Sequence, residues 1–453
     1  MEKTIAYLRD HRNEHLNWIK DLCRVPSIST QTEHKADIRA ALEWLRDLCA
    51  RHGFQTRIHE TTGHPLLYAE WSQAPGAPTC LVYGHLDVQP AGDLDLWDAD
   101  PFDPLVKGEW LICRGAADNK GPLLAHVRAA IAWLATAQRL PINLKFLIEA
   151  EEEVASPNLG PFVEQNKELL SCDYILISDT GMYADGWPTI TYGTRGIVYK
   201  EIRLTGPTHD VHSGSFGGSI ANPANELARI IASLHDGDAH INIPGFHDQV
   251  VDPSPAEREL MASLEFDERK YLAELGSPAV FGETGYATYE RRAYRPTLDV
   301  NGIYGGYMAA GASTIVPARA GAKISMRLVP NQASAEIDRL FEQTVRQRCP
   351  KTVRLEILDH GSCDPYVAPL DAPAMQAAKR ALAEAFDHDV AFIREGGSLP
   401  ILPMFKQVLG VDSVLMGLAS PNCNAHGPNE KVRLPDLDRG AEAIARLLAY
   451  LGR

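Results

Sequence analysis

The feature that most constrains this chain is a set of short apolar runs that lead into residues able to bind a metal. Residues 79–84 (TCLVYG), 142–148 (INLKFLI), 174–178 (YILIS) and 413–417 (SVLMG) read as strands buried on both faces. Helical patterns at about 35–52, 122–138, 371–386 and 435–451 alternate with them. Such alternation implies an α/β fold, a mostly parallel sheet with helices on both faces. Ligands of open α/β sheets lie outside the carboxyl ends of the strands. His85, Asp118, Glu152, Glu153 and Asp179 all fall at those ends, Asp118 between the strand 110–113 and the next helix, and His426 follows the run 413–417 above the same sheet.

The residue types point to one chemistry. Residues i and i+2 of a strand face the same side, so His85 could bind a metal while Asp87 accepts a hydrogen bond from its other ring nitrogen. The acidic run Glu149-Ala-Glu151-Glu152-Glu153 follows a buried-type strand, where adjacent carboxylates repel unless a cation sits among them. Nitrogen and oxygen donors without cysteine suit zinc, manganese or cobalt. Two ions ~3.5–4 Å apart and bridged by one carboxylate would explain so many acids. Three other patterns carry less. His11-Arg-Asn-Glu14-His15 matches a metal-binding H-x-x-E-H helix, but its polar face near the terminus is expected to be solvated. The Asp-rich stretch 93–104 lacks calcium-loop spacing, and Gly115 and Gly121 form no phosphate loop.

At 453 residues the chain is expected to form two domains. From about 190 the texture changes to strands at 189–192, 196–204, 297–303, 323–328 and 352–358 with helices at 223–234 and 333–348 and a long irregular stretch at 236–300. This reads as an α+β domain, 193–364, inserted into a metal-binding domain of residues 1–192 and 365–453. A net charge of −15 argues against nucleic-acid binding, which needs clustered Lys and Arg. The eight cysteines show no disulfide-like spacing, the N-terminus has no apolar leader, and no run is long enough to span a membrane. A cytoplasmic protein is expected.

Together, Gly84-His85-Leu86-Asp87, Asp118-Asn-Lys-Gly121, Glu152-Glu153 followed by Ser156, Asp179, and Ala425-His426-Gly-Pro-Asn-Glu430 resemble, in order, the motifs of the dinuclear metallopeptidase family M20. Asp210-Val-His212-Ser-Gly214, Arg327-Leu-Val-Pro-Asn331 and Arg394-Glu-Gly-Gly-Ser398 resemble its carnosinase and nonspecific-dipeptidase branch. The resemblance implies two divalent ions per subunit, zinc first, bridged by Asp118. His85 and Asp179 would hold one ion and Glu153 and His426 the other. Glu152 would be the general base, with Asp87 orienting His85. Glu152 and Glu153, rather than Glu151, take these roles because Ser156 then falls at the family's spacing.

The inserted domain would act as lid and dimerisation domain, placing His212 in the partner subunit's active site. Without the resemblance, His212 reads as a histidine capping its own turn. Arg327 would pair with a substrate carboxylate, with Thr314, Gly397 and Ser398 as further contacts and Glu395 holding a free α-amine. The expected activity is that of a homodimeric dipeptidase. Alternatives are an N-acyl-amino-acid deacylase or amidohydrolase of the same family and a catalytically silent binding protein on the same fold, though the silent form should have lost a ligand or Glu152.

Overall fold

The computed structural model describes residues 1–452. Its contacts divide into one unit of residues 1–192, 368–393 and 404 onward, and another of residues 193–367 and 394–403. The first is built on a sheet in the order Gln55–His59, Leu66–Trp71, Asn143–Glu149, Thr79–His85, Tyr174–Ile177, Ser413–Gly417, Thr189–Thr194. The middle four strands are parallel. The flanking pairs are antiparallel, so "mostly parallel" describes the centre of the sheet and not its margins. Cys80 through His85 are all buried without alternation, as expected where helices cover both faces of a strand. Helix Lys120–Ala137 contacts the Thr79–His85 strand, and Lys35–Arg51 contacts the Gln55–His59 and Leu66–Trp71 strands.

The sheet leads all its parallel strands out at one edge. His85 is the last residue of its strand, Glu152 and Glu153 open the short helical turn Glu152–Val154 just beyond Asn143–Glu149, and Asp179 follows Tyr174–Ile177. The N-terminal segment corrects one expectation. It forms two helices, Glu2–Asp10 and Arg12–Cys23, and His15 is fully buried rather than solvated, with Trp18 beside it. Burial pushes the His15 imidazole down to about 3, helped by the charges of Arg128 and His11, so it stays neutral at physiological pH.

The second unit has an antiparallel sheet ordered Thr297–Gly305, Arg319–Leu328, Gly196–Thr205, Arg354–Cys363. Val198, Ile202, Leu204, Ile324, Met326 and Leu328 turn inward from it and pack with residues such as Phe341 and Val345 of helix Ser334–Arg348. This is an α+β arrangement. Residues 394–403 lie with this unit, whereas the sequence reading put them in the 365–453 segment. The cause is polar: Arg394 pairs with Glu257, and Arg195 donates from its main chain to Gly397 O and from its side chain to Gly396 O. Strand Ala391–Glu395 and helix Ile401–Leu409 are not marked in the sequence, because Gly396, Gly397, Pro400 and Pro403 break the local period.

Candidate metal centre

At the exit edge of the first sheet, two groups of three ligand-type side chains share one member. His85, Asp118 and Asp179 form one group, and Asp118, Glu153 and His426 the other, with the donor atoms of each group within 4.8 Å of one another. His85 Nε2 lies 3.1 Å from Asp118 Oδ1 and 3.6 Å from Asp179 Oδ2. His426 Nε2 lies 2.9 Å from Asp118 Oδ2 and 3.2 Å from Glu153 Oε2. Asp118 thus presents one oxygen to each imidazole, the disposition needed for a carboxylate shared by two cations. His426 reaches the site from a left-handed backbone conformation, φ 62°, which a non-glycine residue adopts only when its surroundings hold it there.

The electrostatics fit a cation site. Burial opposes charging of His85, but Asp179 and hydrogen bonds to Asp118, Asp179 and Asp87 raise it well above its usual range. Hydrogen bonds to Asp118 and Glu153 raise His426 to about 10. Burial also opposes ionisation of Asp118, yet His426 and His85 hold it well below the carboxylate range. Two protonated imidazoles offset only part of the charge of three converging carboxylates. Divalent ions would take that role and displace the protons. The residues present therefore fit a dinuclear group. Glu152 stands apart from these partners, and burial, reinforced by Asp179, Asp118 and Glu153 against the pull of His85, pushes it up to about 8.

Supporting residues hold several of the donors. Asp87 is fully buried and meets His85 as well as the acidic turn. His85 Nδ1 is 3.0 Å from the main-chain oxygen of Asp87 and 3.4 Å from its carboxylate. The carboxylate also accepts hydrogen bonds from Glu152 N (3.2 Å) and Glu153 N (3.0 Å), so Asp87 sets the turn that carries both acids. Glu151 faces elsewhere, accepting from His64 N and Asn158 Nδ2.

Three positioning residues were missed in the sequence. Glu430, fully buried, accepts from Arg114 Nη1 (2.7 Å) and from the main-chain N–H groups of Gly115, Ala117 and Asp118, anchoring the Asp118 turn. Asn119 Nδ2 donates to Asp179 Oδ1 at 2.8 Å, and Gln89 Nε2 donates to Glu153 Oε2 at 2.8 Å. Asn119 and Glu430 lie inside the motifs quoted above, where their only signal was proximity to a ligand.

The remaining expected site residues belong to the second unit. Arg327 donates to Ser398 Oγ at 2.7 Å, which brings those two together. His212 and Thr314 are neighbours on a two-stranded ribbon, where Ser213 N bonds Thr314 O, and both are exposed. Gly397 O accepts from Arg195 N, and Glu395 ends the strand Ala391–Glu395. His212 Nδ1 accepts from Gly214 N at 2.9 Å, which is the turn-capping contact; in the neutral ring the proton then sits on Nε2. This unit also holds His240, His247 and Glu283 close together. There Arg295 occupies both oxygens of Glu283 at 2.7 Å, so the cluster already contains its cation.

The profile of peptidase family M20/M25/M40 matches residues 81–450. The chain is 30% identical to the human (Homo sapiens) Beta-Ala-His dipeptidase over 98% of its own length and 91% of that protein's. It is 32% identical to the Saccharomyces cerevisiae Cys-Gly metallodipeptidase DUG1 over 85% of its length and 82% of that protein's. Among solved structures it is similar to the M20 family metallo-carboxypeptidase Sso-CP2 from Sulfolobus solfataricus, with a TM-score of 0.87 and 31% identity, covering 97% of this chain and 99% of that one.

Proposed function

From the premise that this chain belongs to peptidase family M20/M25/M40 and is a metal-dependent dipeptidase, we propose that it hydrolyses the amide bond of dipeptides or short peptides bearing a free carboxylate, at a dinuclear centre with Glu152 as general base. The observation that supports this most is the pair of three-donor groups sharing Asp118, with Glu152 beside them and outside their ion pairs. Asp118 would serve both ions, with His85 and Asp179 holding one and Glu153 and His426 the other. Bound divalent ions, zinc in the first instance and manganese or cobalt otherwise, polarise an amide carbonyl and lower the pKa of water. Glu152 accepts the proton of the attacking water on its carboxylate and returns it to the leaving amine nitrogen. Asp87 holds Glu152 and Glu153 in register through their main-chain N–H groups.

The carboxylate requirement rests on Arg327, whose planar guanidinium already engages Ser398 Oγ and can grip a carboxylate. Both relatives named above carry dipeptide names whose peptides end in a free carboxylate. The second unit serves as lid and dimerisation domain. Its edge strand Thr297–Gly305 exposes Ile303 at 65%, and Met308 nearby is 74% exposed, an apolar surface suited to a second copy. In the dimer the partner's His212 would donate its Nε2 proton to the oxyanion of the tetrahedral intermediate. Among the described residues no helix is long and apolar enough to cross a membrane, and all eight cysteines are free, which suits the reducing cytoplasm.

The test is chelation, reconstitution with individual metals, and assay on matched dipeptides and N-acyl amino acids. Metal-dependent turnover is expected on dipeptides first. Turnover confined to N-acyl amino acids would replace this reading with deacylation, and no turnover by any reconstituted form would favour a silent binding protein.

A further inference from the structure

Strand Gly196–Thr205 runs antiparallel to Arg319–Leu328 with Ile197 opposite Arg327. Arg195 immediately precedes the Gly196–Thr205 strand, and its guanidinium feels the charge of Arg327. Both arginines are half-buried, and their hydrogen bonds go to neutral oxygens. Arg195 Nε donates to Gly396 O at 2.9 Å and Nη1 to Arg295 O at 3.3 Å, while Arg327 Nη1 donates to Ser398 Oγ. The opposing carboxylate charge felt by both is that of exposed Asp299, and among the described residues neither guanidinium forms an ion pair. Burial, followed by the charge of Arg327, pushes Arg195 down to about 10. Two half-buried cations near one another, with no carboxylate in ion-pair range of either, form an unfavourable arrangement that an anion relieves.

The two arginines also share a loop. Arg195 holds it through Gly396 O and, from its own main chain, through Gly397 O at 3.0 Å, while Arg327 meets its next residue, Ser398. The loop rests directly on the guanidinium: a Cβ added at Gly396 would stand 3.0 Å from Arg195 Nη2. We propose that Arg195 is a positioning residue of the carboxylate pocket, locking the Gly396–Ser398 loop against Arg327 and adding the second positive charge by which the pocket selects a free carboxylate over its amide. This rests on the dipeptidase reading above and extends it to a residue that no motif singled out.

The test compares wild type, Arg195→Met, Arg195→Lys and Arg327→Met on one dipeptide and its C-terminal amide, each as substrate or competitive inhibitor, with metal content and circular dichroism recorded. Arg195→Met is expected to raise KM or Ki for the acid about tenfold and for the amide several-fold less, with kcat within about twofold. Arg195→Lys keeps the charge without the fork and should recover part of that loss. An equal effect on acid and amide, or a loss confined to kcat, in either Arg195 variant overturns the proposal; Arg195→Lys alone decides it if the methionine variant does not fold. If Arg327→Met leaves the acid-to-amide ratio unchanged, the carboxylate reading itself fails. If Arg327→Met abolishes the ratio and the Arg195 variants do not alter it, only the role of Arg195 fails.

Discussion

Glu152 is held next to four ionisable partners without pairing with any of them, which leaves its carboxylate available to a water. The amide of a glutamine has nearly the same volume and cannot accept that proton. Glu152→Gln should therefore bind metal with unchanged stoichiometry while kcat falls by roughly a hundredfold to ten-thousandfold, the span of a lost general base. Metal analysis and steady-state kinetics on the same preparation check this, and a variant turning over at the wild-type rate would remove Glu152 from the chemistry. Glu430 shows the opposite use of a carboxylate. Both its oxygens are saturated by Arg114 and three main-chain donors, so it shapes the Asp118 turn and has no lone pair to offer a metal. A buried glutamate is thus assigned by counting its partners, which residue type alone cannot do.

At the scale of elements, the turn Glu152–Val154 is only three residues long and its first two amides are taken up by the Asp87 carboxylate. Removing that acceptor frees the turn that aims both acids. Asp87→Ala should weaken metal binding and activity together by about 10–100-fold, as for other groups that support a ligand from behind. Titration with a metal indicator and initial rates measure it; a loss of activity with metal affinity intact would mean that Asp87 acts on Glu152 alone.

The same turn shows what the sequence made legible. His85, Glu153 and Asp179 could be placed near one edge because parallel strands leave a sheet the same way; Asp118 instead follows the strand Trp110–Ile112 of a separate antiparallel sheet, although the sequence reading puts it at the same strand ends. Sequence spacing could not tell which Asp87 oxygen meets His85, because a two-residue offset fixes the face of a strand but not the hydrogen bond. Nor did it show that His15 is buried or that residues 394–403 leave the first unit. His15 owes its burial to packing beyond its own helix, and the loop at 394–403 is fixed by the long-range contacts of Arg195 and Arg394.

For the whole molecule, the question is whether one chain carries a complete active site. His212 is exposed, its Nδ1 is occupied by Gly214 N–H, and its Nε2 proton is left for an acceptor outside its own turn. If that acceptor belongs to a second copy, two inactive variants should complement each other. In a heterodimer of His212→Ala with Glu152→Gln, the His212→Ala subunit keeps its Glu152 and receives the partner's His212, whereas the other site lacks both groups. Random exchange of equal amounts makes about half the dimers mixed, with one working site in each, so roughly a quarter of wild-type activity per subunit should return. Native mass spectrometry of the exchanged mixture establishes that heterodimers have formed. If they have and activity stays at the level of the parents, His212 serves its own subunit or only its own turn.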